Sequence, residues 1–115
     1  MYQVSYDEII EDGSEEERSR ERQAFDESIR LLEQAMSAGV KSSAAIQALH
    51  FTEQLWTILI EDLLNPGNAL PEATRASIVS IGIWVVKEIE LIRKGQSDDL
   101  EGIVSINAII RDGLN

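Results

Sequence analysis

At 115 residues, 43% of them hydrophobic and none cysteine, the chain is long enough for one buried core, too short for two, and without thiols for a disulfide or thiolate–metal framework. Its formal net charge of −11 opposes docking on phosphate backbones and on anionic lipid. The longest apolar run, IGIWVV at residues 81–86, is far too short to cross a bilayer, and the opening MYQVSYDEIIED has neither the basic nor the unbroken apolar region of a signal peptide. A single cytoplasmic domain with no membrane insertion is expected.

In the opening segment the apolar residues Tyr2, Val4, Tyr6, Ile9 and Ile10 change from strand spacing to helix spacing, and Asp12-Gly13 breaks the pattern. This predicts an arm over residues 1–12. It either caps its own bundle or borders a binding groove, with Tyr2 and Tyr6 as its contacts.

Ser14 followed by Glu17 is a capping-box pattern, and the acidic run through residues 15–17 suits the positive end of a helix dipole. A first helix is therefore predicted over residues 14–38. Its beginning is a solvated charged face, and from Ala24 a core stripe emerges with Phe25, Ile29, Leu32 and Met36 in line and Ser28, Leu31 and Ala35 beside them. Gly39 supplies the stop and Lys41-Ser42-Ser43 the next cap.

A second helix over residues 43–64 has Ala45, Leu49, Thr52, Trp56, Leu59, Ile60 and Leu63 on one broad face. Phe51, Leu55 and Ile58 form another apolar row about half a turn from Leu49. Asn65-Pro66-Gly67-Asn68 must turn, since proline expels its predecessor from helix and glycine and asparagine tolerate positive φ. Pro71 then opens a third helix over residues 71–94.

That helix carries the most apolar stretch, ASIVSIGIWVVKEIELI at residues 76–92, which reads as the buried axis of the chain. Ile78, Ile81, Val85, Ile89 and Ile92 share its main face. Trp84 and Leu91, seven apart, project away from that face, and Ile83 lies beyond its opposite edge. Gly82 in mid-helix costs about 1 kcal/mol relative to alanine, which marks a close helix crossing. Gly95-Gln-Ser-Asp98 closes the third helix and leads to a fourth over residues 99–112, with Leu100, Ile103, Ile106, Ile110 and Leu114 as its buried line. Four helices joined by short turns predict an all-α, antiparallel four-helix bundle with an N-terminal arm, centred on the second and third helices.

No catalytic, cofactor or metal site is expected. His50 is the sole histidine, the acidic pairs Glu61-Asp62 and Asp98-Asp99 fall on an outer face and at a helix start, and no glycine-rich phosphate loop accompanies them. The basic residues are scattered among acids without aromatic interleaving, which gives no nucleic-acid face. What stands out is apolar area. Phe51, Leu55 and Ile58 on the second helix, with Ile83, Trp84 and Leu91 on the third, exceed the needs of one seam. Either both helices touch two neighbours each, or a groove between them receives a partner's amphipathic helix.

The run LWTILIEDLLNPGNALPEATRASIVSIGIWVVKEIELIRKG at residues 55–95, with the opening MYQVSYDEIIED and the closing IIRDGLN, resembles the FlaF family of flagellar biosynthesis proteins of alphaproteobacteria. The most specific parts are Leu55-Trp56, residues 59–63, Asn65-Pro66, Leu70-Pro71, Arg75-Ala76 and residues 80–85. The resemblance implies a non-enzymatic cytoplasmic protein whose partner is flagellin, working alongside the flagellin regulator FlbT. It implies either an export chaperone of flagellin or a post-transcriptional regulator of flagellin synthesis acting with FlbT on the messenger RNA. The plan of an arm followed by a bundle is also similar to the FliS export chaperones.

Overall fold

In the computed structural model the backbone of residues 2–113 and the side chains of residues 15–113 are described. Among these residues the chain forms four helices, α1 (Tyr2–Ala38), α2 (Ser43–Leu64), α3 (Glu72–Arg93) and α4 (Leu100–Asp112), and no strand. The turns carry the residues that their geometry requires. Ser42 caps α2 by accepting from the Ala45 N–H at 3.1 Å, and Asp99 caps α4 by accepting from the Gly102 N–H at 2.9 Å. Gly39 at φ 109° and Gly95 at φ 72° take the left-handed conformation past the ends of α1 and α3. Between α2 and α3 the Asn65 side chain accepts from the Gly67 N–H. The Arg75 guanidinium reaches back to donate to the Leu63 and Leu70 carbonyls, satisfying part of the exposed end of α2.

The expected break at Asp12-Gly13 is not a helix boundary. Helical backbone runs through it, so Ser14 is an interior residue and not a cap, and residues 2–12 extend α1 instead of forming a separate arm. One glycine costs a helix only about 1 kcal/mol, and the spacing of Tyr6, Ile9 and Ile10 is already helical before it. At about 1.5 Å per residue the 37 residues of α1 reach about 55 Å, which accounts for the 58 Å long dimension of the molecule.

Neighbouring helices run antiparallel: Phe25 meets Trp56 and Ser28 meets Thr52 between α1 and α2, while Arg93 meets Glu53 and Gly82 lies against Ile60 between α2 and α3. The centre of the bundle differs from the expectation. α1 packs along both α2 and α4, α2 also packs along α3, and α3 touches α4 only sparingly. The buried core accordingly draws on Phe25, Leu32 and Ala35 of α1, Ala45, Leu49 and Trp56 of α2, Val85 and Ile89 of α3, and Leu100 and Ile103 of α4. α1 and α2, not α2 and α3, form the middle. Although poorer in apolar residues than α3, α1 places its few large ones where two helices reach them. α3 buries only Gly82, Val85, Ile89 and Ile92. Ile78 and Ile81 of its expected line are half-buried, as are Leu59 and Ile60 of α2 and Ile106 and Ile110 of α4. Met36, placed by spacing on the α1 stripe, is exposed although Ala35 beside it is fully buried, because the covered line of α1 runs through Phe25, Ser28, Leu32 and Ala35 and Met36 lies one step round the helix from it. Leu114 lies outside the described residues.

Gly82 is the crossing point of α2 and α3. A Cβ built there would stand 2.8 Å from both Ile60 Cδ1 and Trp56 Cε3, closer than packed carbons come, so the absent side chain lets α3 settle on the tryptophan ring.

Candidate partner-binding surface

The sparing contact between α3 and α4 determines what α3 shows to solvent. Its apolar stripe is wide enough for two neighbours and meets one along most of its length, so Ile83, Trp84 and Leu91 remain 46%, 41% and 38% exposed. These three large apolar residues lie within nine positions of one helix. Trp84 and Leu91 stand on the same side, two turns apart. Lys87 and Glu90 are exposed on the same stretch of helix and provide polar neighbours.

The α2 row of Phe51, Leu55 and Ile58 does not face them. The residues of α2 that meet α3 include Glu53, which accepts from Arg93 at 2.9 Å, and Trp56 and Ile60, which pack at Gly82. Phe51 and Ile58 project about half a turn away from that seam. Phe51 and Leu55 are half-buried against the core, while Ile58 is 66% exposed. Leu55 and Ile58 line a different groove, of about 230 Å³, whose other wall is α1. Phe25 contributes to its apolar lining and Glu17, Glu21 and Asp62 to its acidic rim. Burial first, then the negative charges of Asp62 and Glu17, raises the pKa of the Glu21 carboxyl from its ordinary value. The expected single groove with walls from α2 and α3 is thus two separate surfaces. The side chains of Tyr2 and Tyr6 lie outside the described residues.

A buried polar chain escaped the periodicity argument. The Trp56 indole N–H donates to Asn107 Oδ1 at 2.9 Å, Asn107 Nδ2 donates to Ser28 Oγ at 2.9 Å, and Ser28 and Thr52 share a hydroxyl hydrogen bond of 2.5 Å. All four side chains are fully buried, and no described buried side-chain polar atom lacks a partner. This chain ties α1, α2 and α4 in one register and fixes the ring against which α3 packs. The sequence signal was present in Ser28, Thr52 and Asn107, three polar residues at positions where each helix's spacing demands an apolar one.

For chemistry the described residues offer little. No group of three or more His, Asp or Glu side chains among them is placed to hold a metal ion, and His50 is exposed on α2. Asp99 is occupied as the cap of α4, and Asp62 accepts from the Asn68 amide at 3.2 Å. No described helix is long and apolar enough to cross a membrane. In comparison with known families, the model of the flagellar protein FlaF matches residues 2–114, nearly the whole chain. No curated protein and no solved structure matches.

Proposed function

Because the chain belongs to the flagellar protein FlaF family, we propose that it binds flagellin in the cytoplasm and supports its export or production, with the exposed flank of α3 as its binding surface. The observation that carries this reading is the exposed pair Trp84 and Leu91 on one side of a helix with one main neighbour, with the exposed Ile83 about 100° round the helix from Trp84. Apolar anchors with charged residues beside them are what a partner's amphipathic helix requires. Tryptophan is also the residue most often found dominating such an interface. A flagellin segment that is disordered before assembly folds as it docks, and that ordering limits affinity. The protein acts by binding and not by catalysis.

The alternative, direct control of flagellin messenger RNA, finds little support in a chain of net charge −11. Any effect on synthesis passes through a protein partner such as FlbT. Calorimetry with purified flagellin monomer at tens of micromolar tests the reading, and the expected result is measurable heat with a negative heat-capacity change. Absence of both across a range of temperatures would falsify it. In a mobility-shift assay with flagellin leader RNA and no FlbT, no salt-sensitive shift is expected, and one that weakens linearly on logarithmic axes as salt rises would restore the RNA reading.

A further inference from the structure

The groove between α1 and α2 lies on another flank of α2 from the α3 seam and has a different character. Its lining is apolar, from Phe25, Leu55 and the exposed Ile58, and carboxylates enter it from both helices, Glu17 and Glu21 from α1 and Asp62 from α2. We infer that this groove is a second docking site, which takes a cationic amphipathic helical segment of a partner protein, its apolar side chain seated against Leu55 and Ile58 and its lysines or arginines against Glu17, Glu21 and Asp62.

Charge complementarity selects the occupant. None of the three carboxylates forms an ion pair with a described basic residue, although Arg30, Arg93, Lys94 and Arg111 all have acidic partners elsewhere. Asp62 receives only the Asn68 amide besides. Burial and the neighbouring charges of Asp62 and Glu17 oppose ionisation of Glu21, so these acids repel one another in a way that a cation relieves and a second anion worsens. A neutral apolar helix would cover Ile58 but leave three acids facing its flanks. A cationic one satisfies both parts of the lining.

The probe is a synthetic 14-residue helix of leucines at heptad spacing with lysines on its other faces. Its control has glutamate in place of lysine. Fluorescence anisotropy of the labelled peptides against the full chain should show binding of the lysine peptide that weakens as salt rises, and none of the glutamate peptide. The variant E17Q/E21Q/D62N should weaken binding at least tenfold. E33Q/D98N/E101Q, which removes the same three charges elsewhere, should change it less than threefold. Ile58→Ser, at an exposed position, should weaken binding severalfold with an unchanged melting temperature, and so reports on the groove even where the triple variant loses stability. W84A should bind the peptide as the parent does, which separates this site from the α3 surface. Equal losses for the two triple variants, or equal binding of both peptides, would overturn the inference. So would a concentration-dependent dimer dissolved by E17Q/E21Q/D62N, since that would assign the groove to a second copy of the chain.

Discussion

The two tryptophans of this protein stand 28 positions apart on adjacent helices and do opposite things. Trp56 is fully buried, edge-on to Phe25 with ring centroids 5.6 Å apart, capped by Asn107 at its indole nitrogen and pressed by Gly82 of α3 at its six-membered ring. Trp84 is 41% exposed and has no aromatic or hydrogen-bonding partner among the described residues. The side chains are identical, so neighbours make the difference. α2 lies between α1 and α3 and every side of Trp56 is met. α3 has α2 on one flank and little on the other. Trp84, partly covered and partly open, contributes less to folding than Trp56 does, and its open part is the apolar area that a partner could cover.

The contrast breaks most visibly at Trp56 itself. Trp56→Ala removes the largest core side chain and leaves Asn107 without its donor, so a loss of about 3–5 kcal/mol is expected, enough to unfold much of a small domain. Thermal or urea melts followed by circular dichroism measure it, and a loss below about 1 kcal/mol would show that the ring is not the keystone described. Asn107→Ala comes next. It strands the indole N–H and takes a partner from Ser28, at about 1–3 kcal/mol, with a lower urea midpoint and an unchanged slope. Gly82→Ala is the smallest and the most diagnostic of the helix crossing. Alanine gains about 1 kcal/mol of helix propensity, while its methyl must displace the Trp56 ring, costing about 1–3 kcal/mol, so a net loss of about 1 kcal/mol is expected. A Gly82→Ala protein more stable than the parent would mean that α3 does not sit on the ring as closely as described.

Much of this was legible in the sequence. Four helices, their turns at Gly39, Asn65 and Gly95, and the close approach at Gly82 follow from spacing and from residues with few conformational alternatives. The start of α1 was not, because a capping box and a glycine signal only that a helix can begin, and an existing helix can run through both. The order of packing was not legible either. Apolar content singled out residues 76–92 as the axis, yet burial depends on how many neighbours a helix has, and α1, with less apolar surface, has two full ones. The same cause divides the candidate site. The rows on α2 and α3 were each identifiable as surplus, but whether they face one another depends on where the α2–α3 seam lies, and Glu53, Trp56 and Ile60 define that seam.

The most direct test joins both tryptophans to the proposed partner: flagellin titrated calorimetrically into the parent protein and into Trp84→Ala, with a melt of each. Trp84→Ala should keep a melting temperature within a few degrees of the parent, since truncating an exposed side chain costs little, and should bind flagellin more weakly by about 2 kcal/mol, roughly 30-fold. A variant that melts normally and binds flagellin as the parent does would contradict the account, because the uncovered flank of α3 would then not be the surface that flagellin meets.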